Sequence, residues 1–226
     1  MFKYFNFFIF LICAALLSCT VDAYEKGEGD YSLLTAELVE ASVNSSKQVT
    51  QVVTDDAQLL TLTKPFTAKW VARPDTTYRA LLYYNRVGAA KAEVVNMGAV
   101  SVLYPLNADS LKKGMKTDPL YVESIWQSRN GRYLNMQLRL LTGQVANDSI
   151  RQSIGIVKAK GSTSTHQQLQ LYHDQGGQPE YYSSSVVVSL ATNSLSADTV
   201  TITVNTYDGP FVRTLTGWKA ASGACH

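Results

Sequence analysis

Histidine and cysteine, the residues that most often hold metals or act as nucleophiles, are scarce in this chain, with three of each in 226 residues. His166, His173 and His226 include no pair spaced to put two ligands on one face of a helix or hairpin, and a zinc site also asks for Cys or acidic partners. His173 with Asp174 is the best nucleus for such a site, but at a hairpin end the pair reads as a polar turn. No metal is expected. A Gly-x-Ser-x-Gly elbow is missing, and Ser183-Ser184-Ser185 continues a strand pattern instead of a strand-to-helix turn. Gly176-Gly177 lies in a hairpin-type loop and not at a helix start, so no phosphate cradle is read. The acids look scattered: Glu37 and Glu40 fall on opposite faces of a strand, and Asp55-Asp56 lies at a turn, where carboxylates bond the backbone. These absences give no catalytic residue and no cofactor, and the chain is not expected to be an enzyme. Excess charge is missing too. Twenty Lys and Arg stand against 18 Asp and Glu, a net +2, which supplies no field to steer a nucleic acid.

Long apolar runs are lacking after the first residues. The one that stands out, residues 5–17, follows a single positive charge at Lys3 and, at about 13 residues, falls short of the roughly 20 a membrane-spanning helix needs. That is the anatomy of a signal peptide, here residues 1–18. It ends in Leu16-Leu17-Ser18-Cys19, a bacterial lipobox: apolar three before the cysteine, small one before it. Cys19 is therefore the expected lipidation site, and the membrane, reached through lipid, the first expected partner. Two or three acyl chains, at about 0.8 kcal/mol per buried methylene, hold essentially permanently. Removing residues 1–18 leaves 208 residues and a formal charge of +1. Cys13 leaves with the leader, so Cys225 has no free thiol to pair with inside one mature chain. Residues 19–30, with Gly27 and Gly29 among acids, read as a flexible tether. The expected address is the bacterial cell envelope, at the outer membrane, and Asp22 and Glu25 are compatible with sorting to the surface.

What the chain has in abundance is β-branched and aromatic residues in runs of five to ten, separated by Asn, Asp, Gly and Pro. The expected fold is all-β. Strands are read at 31–43, 48–54, 58–63, 77–87 and 92–106, enough for a small barrel over residues 31–106. Only 66–73, after Pro65, is open to a short helix or an irregular crossing. Apolar density drops over 107–117, where Lys112, Lys113 and Lys116 gather, and the domain boundary is placed there. Further strands at 121–127, 133–141, 154–158, 168–173, 181–191, 199–207 and 211–218 predict an antiparallel β-sandwich over 118–220, with a tail at 221–226. Asn130-Gly131 between two strand patterns predicts a hairpin with a type I′ turn. Asn147-Asp148-Ser149 reads as a loop.

Thirteen tyrosines and three tryptophans are the remaining resource, because rings offer flat binding area at low entropic cost. Trp70, Tyr78, Tyr83 and Tyr84 cluster in the first domain, and Trp70 with Tyr83 or Tyr84 is the candidate ligand surface. Adjacent on one strand, Tyr83 and Tyr84 must point to opposite faces. Trp126 and Trp218, which alternate with apolar residues, are expected in the core.

Three stretches carry a family likeness: Asp118-Pro119-Leu120-Tyr121-Val122-Glu123-Ser124-Ile125-Trp126, Tyr133-Leu134-Asn135, and Tyr172-His173 followed by Glu180-Tyr181-Tyr182. With the lipobox, they make the chain resemble the NigD-like lipoproteins of anaerobic Gram-negative commensals. The resemblance implies an N-terminal barrel of OB-fold type and a C-terminal β-sandwich. The family name comes from a bacteriocin gene cluster, so it also implies an immunity-type role. Three function classes follow: an adaptor that binds a protein partner, an immunity protein, and an envelope glycan-binding module.

Overall fold

The computed structural model describes residues 34–111, 114–144 and 151–217. The lipobox with Cys19, the Asn147 loop, Trp218 and Cys225 lie outside them.

Five strands come first: β1 (Thr35–Val43), β2 (Val49–Thr54), β3 (Leu59–Phe66), β4 (Thr76–Val87) and β5 (Lys91–Ala99). They close into a barrel in the order β1-β2-β3-β5-β4, so the chain is a barrel at the place the strand pattern predicts. Alternation sorts the side chains. Val39, Ala41 and Val43 from β1 and Ala80, Leu82 and Tyr84 from β4 fill the interior. A five-stranded barrel is narrow, and the small side chains of Ala41, Ala80 and Ala92 leave room for the Tyr84 ring. The stretch after Pro65 forms no helix. β3 runs through Pro65 to Phe66, and an irregular crossing then seats Val71 in the core with Phe66 and Trp70 against it.

Eight further strands build the sandwich: β6 (Ser101–Leu103), β7 (Tyr121–Gln127), β8 (Tyr133–Thr142), β9 (Ser153–Lys158), β10 (His166–Asp174), β11 (Tyr182–Ala191), β12 (Thr199–Thr206) and β13 (Gly209–Thr216). One sheet has the order β6-β11-β8-β7 and the other β13-β12-β10-β9. Their facing side chains, Leu134, Met136, Leu138, Leu190, Ile156, Leu169, Leu171 and Ile202 among them, form one core. Pairing is not purely antiparallel: β11 runs parallel to β6 and β10 parallel to β12.

The single strand expected over 92–106 is two. Its first part stays in the barrel as β5, and after Val100 the chain enters the sandwich as β6, beside Val188 to Leu190. The Asn130 hairpin joins β7 to β8 as expected, but its turn is of another type. Gly131 has φ +70, whereas Asn130 does not have a positive φ, so the turn is not type I′. The loop is longer instead: Gly131 N–H donates to Ser128 O at 2.9 Å and Ser128 N–H to Tyr133 O at 2.9 Å. It is a four-residue turn closed by a left-handed glycine.

Candidate functional site

The barrel turns the outer face of β1 and β4 toward the outer face of the β7-β8-β11 sheet, and a polar cluster joins them. Arg79, on the outward side of β4, is buried. Its guanidinium meets Asp55 at 2.7 Å and donates to Ser189 Oγ at 3.2 Å and Asn135 Oδ1 at 3.2 Å. The group also lies 4.1 Å above the Tyr133 ring. Asn135 Nδ2 donates to Asp55 Oδ2 at 3.0 Å and Ser189 Oγ to Asn135 Oδ1 at 2.8 Å. Arginine suits this position because its planar fork reaches several acceptors at once. Beside it, Glu40 accepts the Tyr133 hydroxyl at 2.8 Å and pairs with Arg132. Burial, with Glu40 alongside, pushes the Tyr133 phenol well above its ordinary value.

Two loops reinforce the joint. The β2–β3 turn holds Asp55 and Asp56 at its corner: Ala57 N–H donates to Thr54 O at 2.9 Å, and Ala57 sits at φ +62. The Asn130 loop docks on it, with Asn130 N–H donating to Asp55 O at 2.8 Å. Asp55 thus bonds across to the second module. The sequence reading, in which it serves only its own turn, missed this, since nothing in the local pattern marks a partner 80 residues away at Asn135.

Next to the joint the two faces diverge into an open cleft of about 570 Å³. Leu38, Leu81 and Tyr83 line the barrel wall, and Trp126, Gln137, Ser185 and Val187 the sandwich wall. Its carboxylates are held. Asp55 has Arg79, Asp56 has Arg129 at 3.4 Å, and Glu37 accepts the Tyr84 hydroxyl at 3.1 Å, to which Arg86 also donates. Burial and the adjoining Glu37 raise the Tyr84 phenol. Outside the cleft lining, Glu123 Oε2 accepts from the wall residues Gln137, through Nε2, and Ser185, through Oγ, both at 2.8 Å, and Glu123 pairs with Arg139 at 3.3 Å.

The aromatic residues singled out from sequence occupy three environments. Tyr84 is fully buried inside the barrel, while Tyr83, its neighbour, points outward and lines the cleft. Trp70 is half-buried against the barrel core, edge-on to Tyr78 at 5.6 Å, with its Nε1–H donating to Met97 O at 3.4 Å. It is not among the cleft residues, so the structure does not bring it to Tyr83. The partner of Tyr83 is Trp126, expected in the core but 36% exposed. A bulge between Val122 and Ser124 explains the difference. One extra residue resets the alternation, so Val122 and Ile125 face the core while Trp126 faces out.

His173 is buried, with Nδ1 2.9 Å from Asp118 O and Nε2 2.9 Å from Gln152 Oε1. Its backbone pairs with the incoming chain at Lys116 and Asp118, so it fastens that segment to β10. Among the described residues no group of three His, Cys, Asp or Glu could hold a metal, and no helix is long and apolar enough to cross a membrane. At the far end of β7, Tyr121 stacks on Tyr207 at 4.9 Å, and the Tyr207 hydroxyl donates to Glu180.

Comparison with known proteins gives a family match over residues 102–214, to the NigD-like C-terminal beta sandwich domain. Among solved structures, a protein from Bacteroides caccae described as a NigD-like immunity protein is 22% identical, with a TM-score of 0.61 over 82% of this chain and 93% of that one. A protein of unknown function from Bacteroides vulgatus is 14% identical, with a TM-score of 0.63 over 81% and 90%. A Bacteroides fragilis protein provisionally named a lipoprotein is 11% identical, with a TM-score of 0.55 over 80% and 96%. At these identities the likeness is one of fold. No curated protein matches the chain.

Proposed function

The chain belongs to the NigD-like family, and from that premise we propose that it is a lipid-anchored protein of the cell envelope that works by binding a partner and not by catalysis. The observation that carries the reading is the cleft, where Tyr83 and Trp126 stand partly open on facing modules. Open aromatic rings are the side chains that most often anchor a binding partner. Of the carboxylates around them, Asp55 and Asp56 pair with arginines and Glu37 accepts the Tyr84 hydroxyl, an arrangement suited to fixing structure and not to moving protons. The lipobox supports the address, and so does the name of the Bacteroides fragilis relative. Cys19 would hold the molecule to the membrane, the outer one in this reading, and Asp22 and Glu25 are compatible with sorting to its outward face.

Two experiments test this. Fatty-acid labelling of the parent and of Cys19→Ala should show incorporation and membrane retention only in the parent; equal labelling sinks the address. Capture from detergent-solubilised envelope with the tagged full chain should recover a partner that Trp126→Ala loses, and equal recovery by both would remove the cleft from the account. The Bacteroides caccae relative, described as an immunity protein, motivates a second reading, sequestration of a bacteriocin at the membrane. Protection of a sensitive strain by the expressed chain tests that one.

A further inference from the structure

Building on the cleft reading, we propose that the occupant is a neutral carbohydrate, an extended sugar chain held between Tyr83 and Trp126 with its hydroxyl groups on Gln137 and Ser185. A sugar ring has two apolar faces of C–H groups and a rim of hydroxyls. It is best met by flat aromatic surface bordered by polar groups of fixed orientation, and the cleft supplies both. Tyr83 and Trp126 lie on opposite walls, and the aliphatic residues between them, Leu38, Leu81 and Val187, are buried or half-buried. Trp126 is the most open of the large apolar residues there, and the Tyr83 ring faces it.

The polar border is held in place from behind. Glu123 takes hydrogen bonds from Gln137 and Ser185 and pairs with Arg139, which itself lies 4.0 Å over the Tyr121 ring. A carboxamide has two N–H donors and an acceptor oxygen, so Gln137, with one N–H on Glu123, keeps its amide plane fixed and the rest of its capacity for a ligand. Groups oriented before the ligand arrives lose little entropy on binding.

Charge selects among occupants. Of the carboxylates that line the cleft, Asp55 and Asp56 each pair with an arginine, and Glu37 accepts the Tyr84 hydroxyl, to which Arg86 also donates. Two of the three lining carboxylates are neutralised and no lysine or arginine lines the cleft, a polar surface that matches an uncharged polyol and gives an acidic chain no cation to bind. Its volume, about 570 Å³, lies within the range of about 300–1,000 Å³ typical of small-ligand sites.

The test is electrophoresis of the detergent-solubilised full chain in native gels cast with dextran, mannan, xyloglucan or polygalacturonate. Retardation is expected in at least one of the three neutral polymers. Trp126→Ala and Tyr83→Ser should each weaken it about tenfold or more, with thermal melts like the parent's. Gln137→Leu, which keeps both rings, should weaken it as well. Mobility unchanged in all three neutral gels overturns the proposal, as does retardation by polygalacturonate alone or retardation that all three variants retain. Envelope capture separates this from the reading beneath it. If Trp126→Ala loses a captured protein while the parent ignores every polysaccharide, the carbohydrate fails and the cleft stands. If Trp126→Ala changes neither readout, both fail.

Discussion

Arg79→Ala should lower stability by about 3–5 kcal/mol, because truncation leaves Asp55 with its charge partly buried and uncompensated. Adding Asp55→Asn should recover part of that loss, and denaturant midpoints of the two single variants and the double one measure it. The tyrosines give a second prediction at this scale. Burial, with Glu180 beside it, pushes the Tyr207 phenol up to about 12, and Tyr84 and Tyr133 are raised for the same kind of reason. A phenol raised in the folded state contributes its full stability below the unfolded value of about 10 and gives it up as pH rises through the folded one. Stability should therefore fall between pH about 10 and 12, and Tyr207→Phe should make that fall shallower in stepped-pH denaturation. An identical slope would mean that Tyr207 ionises as freely folded as unfolded. Of the aromatic candidates, the opposite facing of Tyr83 and Tyr84 was legible, since strand geometry dictates it. The outward facing of Trp126 was not, because a bulge depends on pairing with β8 and leaves no local mark.

Strands are the scale at which the chain reads most directly. β7 spans the residues expected of it, and β8, β10 and β11 differ only at their ends, because each is a run rich in β-branched, aromatic or aliphatic residues bounded by turn formers. Loops read less well. The Asn130-Gly131 dipeptide correctly marked a hairpin, but the turn type was set by Ser128, whose side chain accepts the Tyr133 N–H at 2.9 Å. Gly131→Val should still destabilise, by about 1 kcal/mol or more, because the glycine holds a left-handed φ. An unchanged melting temperature would contradict that. Ala57 carries the same conformation in the facing β2–β3 turn without being glycine. Relief of its strain should make Ala57→Gly stabilising by up to about 1 kcal/mol, net of the added freedom of the unfolded chain. Chemical denaturation of that variant decides the sign.

The two modules are tied together more closely than composition alone suggests. Polar residues at 107–117 mark a joint in sequence, yet β6 precedes them and already belongs to the sandwich, a pairing too distant for local pattern to show. A fragment of residues 118–217 should therefore melt below one of 100–217, having lost the partner of β11 and the buried Leu103. Equal melting of the two would show that β6 adds nothing. The pairing of β1 has a mechanical consequence. That strand begins at Thr35, where a tether from Cys19 would enter, and it is bonded to β4 along its whole length and to β2 on the other side. Tension drawn along β1 from its first residue slides it against both neighbours, so the bonds on both sides share the load and must yield together instead of peeling in turn. Resistance to forced unfolding is set by the unfolding rate under load, and this geometry makes β1 a strand that a pull on its first residue does not readily draw out of the barrel.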